Sequence, residues 1–247
     1  MGVKLYWSPV SHPAQAARKM LELKGIEFQP VEVMPGMQRI HLRLAGFRDG
    51  TVPALKLDGR RVQGSRQISR ALEQLVPEPP LFPRDPALRT RVDDAEAWGE
   101  RELQPVPRRI IRWGVVNDMG LRRWLAQESK LPMPDVAART SGPAARYYAR
   151  VVGADEAAVR RDLIALPRLL DTADALLADG TLSTDQPNAA TLQVLASVRA
   201  LDSFSDLAGL VGNRASAAAA RELFAAFSEP IPSFLPPEWL PSGPSPA

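Results

Sequence analysis

Between Thr51 and Arg66 the chain spells out a strand, a tight turn, a second strand and the start of a helix. The run Val52-Pro53-Ala54-Leu55-Lys56-Leu57 is β-rich and opens on a proline. Proline has no N–H to give a ladder, so it belongs at the beginning or edge of a strand. Asp58-Gly59 is a dipeptide suited to a two-residue hairpin loop, where both central residues need positive φ. Arg61-Val62 returns, and Ser65 stands where a helical period begins, with Ile68, Leu72 and Leu75 or Val76 on one face. This order sets free backbone groups beside a helix N-terminus, which attracts anions. It describes a pocket for a short peptide-like ligand bearing carboxylates.

The residues on either side place that hairpin in a larger unit. Val3–Trp7 is β-rich and ends at the turn signal Ser8-Pro9. Ala14 to Lys24 has helix-forming composition, with Ala17, Met20, Leu21 and Leu23 apolar and Gly25 placed to stop it. Glu27 to Val33 alternates as a second strand, which completes a βαβ unit. Pro35 to Gly50 is ambiguous, with a short helix around Arg39 to Leu44. Residues 1–77 are therefore expected to form a βαβ-ββα domain. Pro77, Pro79, Pro80, Pro83 and Pro86 mark a linker over 78–89.

Beyond the linker strand signals stop, and residues 90–228 read as an all-helical domain. Helices are expected over Arg91–Leu103, over Asp155–Ala178 with a kink at Pro167, from an Asn188 cap onward, and over Asn213–Phe227. Pro105-Val106-Pro107 is expected to bend the helix path. A Pro/Ser-rich tail, 229–247, is expected to be extended and anchored by Phe234 and Trp239.

Composition narrows the chemistry. At 247 residues the chain fits one large domain or two modest ones. It holds no cysteine, which excludes disulfides, thiolate metal sites and a protein thiol nucleophile. A net charge of +3 does not argue for nucleic-acid binding. No apolar run approaches the roughly 20 residues of a membrane span. The chain enters its first strand with no apolar leader, so the expectation is a cytoplasmic protein without a membrane partner.

Leu5-Tyr6, Ser11-His12-Pro13, Lys24-Gly25-Ile26, Thr51-Val52-Pro53-Ala54-Leu55 and Gly64-Ser65-Arg66 fall in a familiar order and spacing. With the Pro-rich linker and the helical remainder, the chain resembles a cytosolic glutathione S-transferase of the serine-type classes, theta among them. The resemblance implies a thioredoxin-like N-terminal domain, an α-helical transferase C-terminal domain and a homodimer. It implies glutathione as co-substrate, a small electrophile as partner, and no metal. The only two histidines, without cysteine, do not make a metal site.

Residue by residue, the resemblance assigns Ser11 as the donor that stabilises the glutathione thiolate. Ser8 and Tyr6 are alternatives, and Ser11 as a plain N-cap is the plainer reading. A free thiol has a pKa near ~8.5, and lowering it by about two units takes about 2.7 kcal/mol. Val52 would pair its backbone with the cysteinyl part, which implies a cis bond at Pro53. Ser65 would meet the γ-glutamyl carboxylate, with Arg66 adding charge. His12 would line the site, and His41 would lie near the glycyl carboxylate. Gly64 departs from the pattern, since the family usually carries Glu or Gln there to meet the ligand's amino group. Gln63 is out of register for that task. Trp98, Arg109 and Trp113 would wall the second-substrate pocket, alongside Arg108 and Arg112. The expected activity is attack of the thiolate on an electrophile. Isomerisation, peroxide reduction or dehalogenation on the same scaffold, and a non-catalytic binding module, are the other readings. Serine where some relatives carry cysteine argues against thiol–disulfide exchange.

Overall fold

The computed structural model describes residues 2–34, 37–225, 227 and 230–241. Residues 229 and 242–247 of the expected tail, and 226 and 228 beside it, lie outside the described residues. The N-terminal domain runs β1 (Val3–Trp7), α1 (His12–Leu23), β2 (Gln29–Glu32), α2 (Gln38–Leu44), β3 (Ala54–Leu57), β4 (Arg60–Gln63) and α3 (Ser65–Leu75). Its sheet has the order β2-β1-β3-β4, with β1 parallel to β2 and antiparallel to β3. This is a mixed thioredoxin-like sheet. The hairpin turns at Asp58 and Gly59, whose φ values of 42° and 93° are both positive, as the sequence requires.

Leu5, Leu55 and Leu57 face α1 and α3, where Ala17, Met20, Leu21, Ile68 and Leu72 complete one core. The other face of the sheet is smaller. There Tyr6 and Ala54 pack with Leu42 and Phe47 beneath α2.

The helical region holds α4 (Pro86–Trp98), α5 (Pro105–Asn117), α6 (Met119–Glu128), α7 (Pro134–Thr140), α8 (Gly142–Val151), α9 (Glu156–Ala178), α10 (Ala189–Asp202), α11 (Ala208–Val211) and α12 (Ala215–Leu223). α4 starts at Pro86, earlier than the composition suggested, because Asp85 caps it by accepting from Leu88 N at 2.7 Å. A π-helical turn, Gly99–Leu103, joins α4 to α5. Pro105 and Pro107 have no N–H to return to residues 101 and 103, and a wide turn there leaves room for the missing bonds. The chain thus passes the prolines without a loop. Pro167 lies inside α9, which continues through it. The helix expected over 213–227 is shorter, ending at Leu223.

α10 is the axle of the molecule. Ala189 through Val198 are all buried, as a helix that is apolar all round must be. Asn188 caps it, accepting from Thr191 N at 2.9 Å and donating to the Thr181 carbonyl at 2.8 Å. α1, itself faced with Ala14, Ala16 and Ala17, packs against α10, so the axle is shared with the N-terminal domain. Gly99 permits the approach on the other side: a Cβ there would stand 3.0 Å from Val194 Cγ2.

The described part of the tail is clasped onto this body. Asp206 Oδ2 accepts from Phe234 N at 2.8 Å and Leu235 N at 2.9 Å. Phe234 lies over Gly114, where a Cβ would come within 2.3 Å of its ring. Trp239 packs on Trp113 with ring centroids 4.8 Å apart.

Candidate functional site

Three local features converge around the loop that precedes β3. The Val52-Pro53 peptide is cis. Gly64 N donates to the Pro53 carbonyl at 3.0 Å, which ties this loop to the start of α3. Val52 is half-buried, and its own N–H and C=O enter no hydrogen bond among the described residues. Gln63 braces the loop from behind: its Nε2 donates to the carbonyls of Asp49 and Thr51 at 2.7 and 2.8 Å. Its side chain is therefore spent on the scaffold, as its register suggested.

The N-terminus of α3 carries no side-chain cap. Gly64, at φ 92°, holds a backbone that L side chains rarely adopt, and a Cβ there would sit 2.5 Å from Gln67 Oε1. Gln67 occupies the third helical position and folds back over Gly64. The amide therefore stands where a residue-64 side chain would begin. The signal in the sequence was the spacing Gly64-x-x-Gln67, hidden because Gln67 looks like a solvated helix residue.

Ser65 is 3 % exposed, and its hydroxyl donates to Gln193 Oε1 of α10 at 3.4 Å. Arg66 reaches Glu96 Oε2 at 3.4 Å and Glu100 at 3.8 Å. Glu96 has no exposed surface and collects Ser69 at 2.9 Å and Arg70 besides. Burial pushes its carboxyl pKa up, against the pull of Arg70, Ser69 and Arg66. Arg66 is thus part of the α3–α4 seam. We expect Glu96→Ala to lower stability by about 2 kcal/mol in urea titration, since the α3–α4 seam loses the buried acceptor that Ser69, Arg66 and Arg70 share, while Ser69 keeps the Arg66 carbonyl, Arg66 keeps Glu100 and Arg70 keeps Asp93.

Ser11 precedes α1 in extended conformation and makes no side-chain cap, so its hydroxyl is not consumed by the helix. It is half-buried, whereas Ser8 is 3 % exposed. Tyr6 packs edge-on against Phe47 at 5.3 Å, under α2. His41 is half-buried in α2.

His12 is tied to the helical region. Its ring is 6 % exposed, and Nε2 lies 3.2 Å from the Gln104 carbonyl, at the end of the π turn. A carbonyl only accepts, so Nε2 carries the proton. Burial lowers the pKa from 6.5 to about 3, the charge of Arg108 adds to the effect, and the Gln104 bond opposes it. The imidazole is a neutral link between the N-terminal domain and the helical region.

Of the residues expected to wall a second-substrate pocket, Trp98 ends α4, and Arg109 and Trp113 lie on α5. Arg109 forms a forked ion pair with Asp162 of α9, at 2.5 and 2.6 Å. Trp113 faces the tail, and Trp98 packs into the core. Arg108 and Arg112, four residues apart, share the face toward His12 and Tyr148. Burial lowers the pKa of both.

Residues 5–80 match the family model for the glutathione S-transferase N-terminal domain. A glutathione S-transferase from Sinorhizobium meliloti is similar over 94% of this chain and 95% of its own, at 17% identity and TM-score 0.61. One from Rhodospirillum rubrum is similar over 96% and 97%, at 20% identity and TM-score 0.54. The beta-etherase LigF from Sphingobium sp. is similar over 82% and 84%, at 21% identity and TM-score 0.52. No curated protein sequence matches. The match over residues 5–80 gives the N-terminal domain its family likeness, and the whole-length likeness shows the fold: a thioredoxin-like N-terminal domain followed by a helical region.

Proposed function

We propose that the chain is a glutathione-dependent transferase whose thiol site lies between Ser11, Val52 and the N-terminus of α3. The observation that carries this reading is the unpaired backbone of Val52 set beside an uncapped helix start. An extended peptide pairs with such a strand end, and its carboxylate suits such a helix end. Ser11 donates a hydrogen bond from its hydroxyl to the thiolate sulfur. The thiol proton leaves to solvent, sulfur forms a bond to the electrophilic carbon, and the leaving group departs with its electron pair. No protein general base is needed once the thiol is ionised. A carbon bearing an aryloxy leaving group would be cleaved as an ether by the same attack, a reaction class in the name of the Sphingobium neighbour.

Ser65 offers its N–H and the helix end to the γ-glutamyl carboxylate. Gln67 supplies the acceptor for the ammonium group that Gly64 lacks. Arg108 forms the cationic side of the co-substrate cleft, in place of Arg109 and Trp113. The functional unit in this reading is a homodimer, which a monomeric mass in solution would contradict.

Isothermal titration with glutathione tests the proposal. Binding in the micromolar to low millimolar range is expected, and no binding at millimolar glutathione would leave the fold as a non-catalytic module. Gln67→Ala is expected to weaken binding about ten-fold, the worth of one charge-assisted hydrogen bond. An analogue without the α-amino group should be indifferent to that change.

A further inference from the structure

A pocket of about 70 Å³ lies among α5, α6, α7 and α8. Its polar lining is Arg112, Arg122, Ser141 and Tyr148, set over aliphatic side chains such as Leu125 and Leu131, and no Asp or Glu lines it. Arg122 is pinned to the protein. It donates to the carbonyls of Val115, Val116 and Ala138 at 2.8, 3.0 and 3.4 Å, which ties α5 to α7. Arg112 is not pinned. Its guanidinium lies 5.1 Å from the centroid of the Tyr148 ring, and it makes no ion pair or hydrogen bond among the described residues. Burial lowers its pKa, with the charge of Arg108 adding to the effect against Tyr148.

A half-buried cation without a counter-anion gives up part of its hydration, a cost that well-packed apolar residues would avoid. Here the cost is confined to one planar fork, which matches a carboxylate in two parallel bonds. A phosphate would need more open donors and would leave the aliphatic lining uncovered. The volume is about half the roughly 150 Å³ that accepts a benzene ring, so the apolar part is a short chain.

We infer that this pocket binds a small aliphatic monocarboxylate, its carboxylate paired with Arg112 over the Tyr148 ring and its alkyl end between Leu125 and Leu131. The site makes no use of the glutathione groups and stands or falls apart from them.

The test is titration of the whole chain, without glutathione, with butyrate and with butyramide, which has nearly the same shape and no charge. Butyrate should bind at least ten-fold more tightly than butyramide. Arg112→Met, which keeps the bulk and removes the charge, should cost at least ten-fold in butyrate affinity while keeping a cooperative melt at or above the parent temperature. Equal binding of the two compounds to the unmodified protein, or no butyrate binding at 10-millimolar order, overturns the proposal without recourse to a variant. So does a folded Arg112→Met protein that binds butyrate undiminished.

Discussion

Acidification from pH 7 to pH 5 is expected to remove about 2 kcal/mol of stability through His12 alone. In the folded chain this imidazole titrates at about 3, against 6.5 when free. The folded state therefore binds fewer protons than the unfolded state in the window between those values. Its contribution is fully present above about 6.5 and is lost as pH falls toward 3, at about 1.4 kcal/mol per pH unit. The link that suffers is the one from α1 to the Gln104 carbonyl, so the domain and the helical region should loosen together. Urea unfolding at pH 7 and pH 5 measures the effect. His12→Gln keeps an N–H donor and cannot titrate, so its midpoints should move less between the two pH values. An identical pH slope in both proteins would remove His12 from this role.

Ser11→Ala is expected to raise the thiol pKa of bound glutathione by about one to two units. It should cut kcat/KM for conjugation of an aryl halide about 10- to 100-fold near neutral pH. Those figures are the worth of one hydrogen bond to a charged acceptor, about 1.5–3 kcal/mol. Glutathione affinity itself should change little, since the Val52 and α3 contacts remain. The thiolate absorbance of the bound tripeptide, followed against pH, separates the two effects. An unchanged titration would transfer the role to Ser8 or Tyr6. Ser8 is buried, and Tyr6 packs edge-on against Phe47.

What could be read from the sequence was local. Asp58-Gly59 names its own turn, Asn188 its own cap, and the Val52-Pro53 loop its place before β3, because each depends on backbone preferences within a few residues. The thioredoxin-like order followed from these. What could not be read depended on partners distant in sequence. That His12 reaches the Gln104 carbonyl, 92 positions on, is one such contact. Arg109 and Arg112 look equivalent until Asp162 takes the first and leaves the second. α6, α7 and α8 were not foreseen, since Pro134 and Gly142-Pro143 cut that stretch into pieces too short to show a period. Gln67 was missed for another reason. Its importance comes from the absence of a side chain three residues earlier.

The Trp113–Trp239 pair gives the protein an optical gauge of its own. Two indoles with centroids 4.8 Å apart and planes tilted by 49° couple as an exciton. The signal reports whether the C-terminal segment is seated on α5, and Trp113 is the sequence neighbour of Arg112. Far-ultraviolet circular dichroism should therefore carry a couplet that Trp239→Phe abolishes.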